Sequence, residues 1–291
     1  MPNFDRGRWS QATRTAYRSH WAEFQRLYGD SLPASEQIIA DYLLASEARG
    51  LSVSSISQRL ACVVAGHAIE GHVVNVKGSA IRDAWSEIRR RGAPRQPKAA
   101  LQADDIKRIL KGVPAERFLE RAVLLVGFAS ALRRAELAAL DLADIEFTKD
   151  ALVITIRRSK ADKFGKGETV AVLRQKKSRF CPCAALEAYL SYRRLEARTD
   201  SPALFINQKN NRLTGANVAF IVKNWAGRAG YDERVIAAHS LRRGCITTMF
   251  RGNATLVDIG RHARQKTPSV TAGYIERENA AANPAIRAVG L

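Results

Sequence analysis

His239 and Arg242, in His-Ser-Leu-Arg, stand three residues apart, so on a helix they share one face. Both side chains seek phosphate. A tyrosine, Tyr274 in Gly-Tyr-Ile, follows 32 residues after Arg242, near the end of the chain. Upstream, Ala-Leu-Arg-Arg-Ala-Glu-Leu places Glu136 three residues after Arg133, where the carboxylate can orient the guanidinium. Lys160 lies in Arg-Ser-Lys-Ala-Asp. Singly these signals are weak: an Arg–Glu pair at this spacing is usually an exposed ion pair of little energetic weight, and most tyrosines are packing residues. In order, they suit one chemistry. A phosphodiester under attack by an oxygen gathers negative charge on its non-bridging oxygens, and forked, permanently charged guanidiniums match that charge. A histidine holds a phosphate oxygen or takes the nucleophile's proton. A tyrosine, with an ordinary pKa of about 10, needs such cations nearby to attack as a phenolate.

The elements that must hold these groups read mainly as helices. Tyr17, Trp21, Phe24 and Tyr28 recur at helical spacing and predict a helix over 10–28, with Gly29 as its stop. Ser35 caps a second helix that runs to Gly50. A third covers 54–70, with Ile56, Leu60, Val63, Val64 and His67 on one face, and a fourth covers 79–91 with Ile81, Trp85 and Ile88. An all-helical domain over 1–92 follows. Gly92, Pro94 and Pro97 then break every periodicity and mark a basic linker over 93–98. The remainder, 99–291, opens with a helix over 104–111 and an apolar core helix carrying Phe118, Ala122, Leu125, Val126 and Ala129. A short helix to Leu140 precedes strands over 145–147, 152–156 and 169–173, and a lysine-rich hairpin loop fills 157–167. Helices over 182–197, 214–229, 239–251 and 256–263 follow, with a short extended piece at 203–206. The fold class is mainly α with a small antiparallel β-sheet.

Composition narrows the partner. The 291 residues carry a net charge of +19, which implies a polyanion, either nucleic acid or an acidic membrane surface. No amphipathic basic helix stands out for a membrane role, no run of 18 apolar residues exists, and the first residues lack the apolar core of a signal peptide. Residues 1–98 hold 14 basic and 9 acidic side chains and the rest hold 33 and 19, so both parts suit the same polyanion. Cys62, Cys181, Cys183 and Cys245 have no paired CxxC spacing, so neither a disulfide framework nor a zinc site is expected, and a cytoplasmic, reducing setting follows. No Gly-rich phosphate loop and no cluster of metal ligands stands out, so no cofactor and no metal are expected.

With Arg133, Lys160, His-x-x-Arg and Tyr274 in this order across 142 residues, the chain resembles the tyrosine recombinases, the phage integrase family, with a Cre-like two-domain architecture. The resemblance covers nearly the whole chain. It implies an N-terminal helical core-binding (SAM-like) domain and a C-terminal catalytic domain that close as a C-shaped clamp on double-stranded DNA. It implies Arg133, Lys160, His239, Arg242 and Tyr274 as catalytic residues, with Lys160 protonating the departing 5′ oxygen. The product is a 3′-phosphotyrosyl link and a free 5′ hydroxyl, and strands exchange through a Holliday junction. A short C-terminal helix over 283–289 docks on a neighbouring subunit, giving a homotetramer on two DNA sites with inverted-repeat arms. Arg59, Arg82, Arg89, Arg90, Arg91, Lys98, Lys163 and Lys166 are the candidate DNA contacts.

One position departs from the pattern. The family has His or Trp nine residues before the tyrosine, and here that residue is Gln265. Aligned without a gap, Arg264-Gln265-Lys266 falls on the family's Arg-His-Lys, and the glutamine amide can donate to a phosphate oxygen. His262, twelve before Tyr274, takes the role if three residues are inserted. The departure opens an alternative, a DNA-binding relative with weak or no catalysis. A type IB topoisomerase-like relaxing enzyme shares the chemistry, but the helical N-terminal domain and the C-terminal tail favour recombination.

Overall fold

The computed structural model describes residues 2–5, 9–29, 32–92, 98–157, 167–175 and 178–265. The chain divides into two compact units, Met1–Gln96 and Pro97–Leu291.

The first unit holds four helices: α1 (Gln11–Tyr28), α2 (Glu36–Ala48), α3 (Val53–Ile69) and α4 (Ser79–Arg91). Three start where a serine hydroxyl takes an otherwise unpaired backbone N–H: Ser10 from Thr13 at 3.3 Å, Ser35 from Ile38 at 3.3 Å and Ser52 from Ser55 at 3.2 Å. The core is aromatic and aliphatic, with Trp21, Phe24, Ile39, Tyr42, Leu43, Ile56, Val63, Ile81 and Ile88 all buried. Trp21 lies against Gly66 so closely that a Cβ there would meet the indole at 2.2 Å. Helix α2 stops two residues short of the sequence expectation. Gly50 adopts φ 78°, and Leu51 N–H donates back to the Ser46 carbonyl at 3.2 Å, so the glycine acts as the left-handed cap beyond the helix.

His67 is sealed in this core. Its Nδ1–H donates to the Val63 carbonyl at 2.8 Å and its Nε2 accepts the Ala34 N–H at 2.9 Å, which fixes one neutral tautomer. Burial lowers its pKa below the ordinary imidazole value.

The second unit contains α5 (Ala103–Gly112), α6 (Phe118–Ala129), α7 (Arg134–Ala139), β1 (Ile145–Phe147), β2 (Ala151–Ile156), β3 (Glu168–Leu173), α8 (Pro182–Leu195), α9 (Gly215–Arg228), α10 (His239–Arg251) and α11 (Leu256–Ala263). The sheet is antiparallel in the order β1-β2-β3, with Leu152 opposite both Phe147 and Val172. Its buried face alternates as strand geometry requires: Leu152, Ile154 and Ile156 from β2 meet Val170 and Val172 from β3. Helix α6 is the centre of this unit. Ala122, Val123, Leu124, Leu125 and Val126 are all buried, and α5, α8, α9 and α10 pack around it. The expected extended piece at 203–206 forms isolated bridges, Asp141 to Ala203 and Ile206 to Arg212. Helix α8 ends at Leu195, not Ala197. The Arg193 guanidinium gathers the carbonyls of Arg198, Ser201, Ala203 and Leu204, which turns the chain back at once. All four cysteines are buried.

Helix α10 is fixed by the strand-like segment that leads into this unit. Ala99 N–H donates to the Val235 carbonyl at 2.8 Å, Leu101 N–H to the Ser240 carbonyl at 3.1 Å and Ala103 N–H to Thr248 Oγ1 at 3.1 Å. Arg243 returns a bond to the Lys98 carbonyl at 3.0 Å. The approach depends on Gly244, because a Cβ there would sit 1.6 Å from the Leu101 carbonyl oxygen.

Two outcomes are expected. Gly244→Ala loses about 1–3 kcal/mol of stability, because both clashing groups are backbone, and chemical denaturation measures it. The depressed His67 pKa makes the neutral form the folded one, so its stability contribution is whole above pH about 6.5 and drains below it, at about 1.4 kcal/mol per unit of depression. Melts between pH 7.5 and 5 should show a shallower pH slope in His67→Gln than in wild type.

Candidate active site

Arg133 is the residue from which α7 starts, and one carboxylate holds both ends of it. Glu136 accepts the Arg133 backbone N–H at 2.9 Å through Oε2 and the guanidinium Nη1 at 2.5 Å through Oε1. Glu136 is buried, while the Arg133 side chain stays 30% exposed, so its guanidinium keeps an open face. Burial by itself would raise the Glu136 pKa. The hydrogen bonds from Arg133 and the charges of Arg133 and Arg264 outweigh it, and the net shift is downward.

The turn just before Arg133 brings in the second arginine. Helix α6 ends at Ala129, and Ala131 takes the left-handed conformation at φ 49°. That turn presents carbonyls inward. Arg242, on the second turn of α10, is buried, donating through Nη1 to the Ala131 carbonyl at 2.6 Å and through Nη2 to the Ala263 carbonyl. Arg242 therefore ties α10 to the ends of α6 and α11. Arg264 converges on the same turn, with Nη1 3.4 Å from the Ser130 carbonyl and Nη2 3.5 Å from the Ala131 carbonyl and 3.0 Å from Glu136 Oε2.

His239 opens α10 one turn before Arg242. The residue is exposed. Partial desolvation, followed by the positive fields of Arg242, Arg133, Arg243 and Arg134, depresses its pKa. The imidazole is therefore neutral at pH 7 and able to accept a proton or to donate one hydrogen bond. Arg133 and Arg242 both lie close enough to act electrostatically on His239, so the structure gathers these three expected site residues, with Glu136, in one region.

His262 and Gln265 part ways. The His262 ring donates through Nε2 to the Ala129 carbonyl at 2.8 Å and lines an apolar cavity of about 580 Å³ with Leu125, Phe128, Cys245 and Met249. Burial lowers its pKa first, and nearby Arg264 and Arg242 add to it. Gln265 instead follows the cap of α11, with its N–H bonded to the Gly260 carbonyl at 2.8 Å, directly after Arg264. Lys160, Lys163, Lys166 and Tyr274 lie outside the described residues, as does the tail helix expected over 283–289.

Arg264 is the residue the sequence reading passed over as a site group. It fell on the first residue of the family's Arg-His-Lys, and nothing in that local pattern marks a basic side chain as buried. Its burial comes from α11 turning it back onto the Ser130–Ala131 carbonyls.

The candidate DNA contacts of the first unit differ in availability. Arg89 and Arg90 are exposed on the last turn of α4. Arg82 is exposed beside Asp83, and Arg91 is paired with Glu87 and Glu47. Arg59 faces inward: its guanidinium reaches Glu23 at 3.1 Å and its side chain is only 12% exposed. Glu23 also takes Arg49, so Arg59 belongs to a structural ion-pair network. Lys98, in the second unit, is exposed and donates to the Arg234 carbonyl.

Residues 99–278 match the phage integrase family. The chain is 29% identical over 282 residues to an integrase/recombinase XerD homolog of Selenomonas ruminantium, covering 92% of this chain and 82% of that protein. It is 27% identical over 288 residues to the tyrosine recombinase XerD of Bifidobacterium longum, covering 89% and 85%. Among solved structures, the XerH site-specific recombinase bound to a palindromic difH substrate superposes with a TM-score of 0.68 at 17% identity, over 94% of this chain and 79% of that one. A lambda integrase dimer bound to a COC′ core site gives 0.62 at 14% identity, over 96% and 92%. The fold is that of these proteins, and the chain belongs to the phage integrase family, the tyrosine recombinases, which cleave and rejoin DNA strands.

Proposed function

We propose that this site-specific recombinase cleaves each strand through Tyr274, held against a scissile phosphate by Arg133, Arg242, His239 and Gln265. The observation that carries the reading is the charge balance of the cluster. Arg133 and Arg264 share one carboxylate, Glu136, and Arg242 joins Arg264 at the Ala131 carbonyl, with no carboxylate among its hydrogen-bond partners named above. Such a site holds an excess of positive charge where a phosphodiester, and more so its doubly charged transition state, would balance it.

In the proposed step the Tyr274 oxygen bonds to phosphorus and the bond from phosphorus to the 5′ oxygen breaks. The tyrosyl proton passes to neutral His239, and Lys160 protonates the departing oxygen. A 3′-phosphotyrosyl link and a free 5′ hydroxyl result, and the phosphoester energy stays in the link, so neither ATP nor a metal is needed. Attack by a partner strand's 5′ hydroxyl reverses the step and rejoins the DNA through a Holliday junction. Gln265 is the donor at the position nine before the tyrosine, because the ring of His262 already serves the Ala129 carbonyl. The partner is double-stranded DNA with inverted-repeat arms, and the working assembly is a homotetramer on two sites. Arg82, Arg89, Arg90, Arg91, Lys98, Lys163 and Lys166 supply phosphate contacts, with the strong salt dependence such contacts carry. The setting is the cytoplasm, on DNA; no helix among the described residues is long and apolar enough to cross a membrane.

Covalent capture from a pool of nicked duplexes with randomised sequence tests this. Wild type should trap a protein–DNA adduct stable to denaturant and enrich an inverted repeat, while Tyr274→Phe traps none; a wild type that traps nothing sinks the proposal. Lys160→Ala should slow cleavage of the recovered duplex by about 10²–10⁴-fold. A 5′-bridging phosphorothiolate should restore most of the rate, because a thiol of pKa about 8.5 leaves without a proton donor. Equal slowing on both substrates would remove Lys160 from the acid role.

A further inference from the structure

We propose that Arg264 is a positioning residue for strand cleavage, acting through Glu136 on Arg133 and through the backbone on Gln265; this rests on the recombinase reading above. Its placement runs against local preference. Arg264 sits at φ 53° and ψ 51°, the left-handed residue that closes α11, where its N–H bonds to the Arg261 carbonyl at 3.2 Å and Gln265 N–H to the Gly260 carbonyl. Glycine takes that conformation without strain, and an arginine does not. The side chain is also 2% exposed, so a permanent charge is held out of water. Two unfavourable choices at one position point to a side chain with a task.

Its contacts define the task. One guanidinium spans the carbonyls of Ser130, Ala131 and His262 and the Glu136 carboxylate, while its Nε, without a hydrogen-bond partner among the described residues, lies 4.0 Å from Glu168 at the start of β3. Glu136 in turn takes both the backbone and the side chain of Arg133. Arg264 thus fixes the orientation of the carboxylate that orients Arg133. It also shares the Glu136 charge, so Arg133 is not neutralised by a carboxylate of its own and keeps its pull on a phosphate. The same residue pins the chain one position before Gln265 and ten before Tyr274. Removing it should misplace reacting groups without weakening the hold on DNA.

The test measures the single-turnover rate of adduct formation at saturating DNA, using the nicked duplex recovered by wild-type capture, together with affinity for the intact duplex and a thermal melt. Arg264→Gly suits the backbone and should lower the rate by about 100-fold with affinity changed less than about threefold. Arg264→Lys keeps the charge but loses the fork, and should fall by about tenfold; it decides the matter if the glycine variant does not fold. Adding Glu136→Gln to Arg264→Gly removes the carboxylate charge that would then neutralise Arg133, and should recover about tenfold in rate, which a purely structural role would not give. A wild-type rate in either folded single variant overturns the inference alone. No adduct from wild type overturns the functional reading and this inference with it.

Discussion

Three guanidiniums are brought to one turn of backbone, and the second unit is built around making that tolerable. Arg242 and Arg264 are almost fully buried, and each would cost several kcal/mol in a dry interior without partners. Among the described residues, most of the hydrogen bonds of these two side chains go to backbone carbonyls. Arg242 reaches the carbonyls of Ala131 and Ala263, and Arg264 those of Ser130, Ala131 and His262, with Glu136 as the anion that Arg264 shares with Arg133. Carbonyls accept from the Nη donors without cancelling the charge. That distinction, on which the proposed phosphate site rests, sets the cluster apart from an internal salt bridge already balanced.

The carbonyls are available only because the backbone bends against preference. Ala131 at φ 49° and Arg264 at φ 53° are non-glycine residues in the left-handed region, and such residues persist where surrounding structure over-determines them. The surrounding structure here is α6, buried along its middle, and α10, laced to the 98–103 segment by hydrogen bonds to the Ser240 carbonyl and the Thr248 hydroxyl on either side of Gly244. Strain, burial and charge are therefore one arrangement: α6 supplies the turn, α10 and α11 supply the arginines, and the entering segment keeps α10 from moving.

The first unit separates its charges differently. Its aromatic core around Trp21 and the Gly66 contact is conventional packing, and Glu23 draws Arg49 and Arg59 inward to itself. Arg89 and Arg90 remain at the exposed end of α4, where the helix dipole favours cations. Helix α3 thus turns a basic residue inward onto Glu23 while α4 leaves two exposed at its end.

Much of this was legible in the sequence because it is local. Serine caps, helical spacing of Tyr17, Trp21 and Phe24, and alternation in 152–156 depend on neighbours a few residues away, so nearly all elements fall where spacing puts them. The ordered set Arg133, Glu136, His239 and Arg242 was also readable, since each motif is short and its order along the chain is visible. Helix ends were less so: α8 stops early because Arg193 captures carbonyls up to eleven residues away. What only the tertiary structure decided was which basic residues are buried, and on what. Arg59 and Arg264 look like surface residues in their local sequence, yet one meets Glu23 across 36 positions and the other meets Glu136 across 128. Long-range pairing of that kind leaves no periodic trace, because the partner's position is fixed by packing and not by spacing.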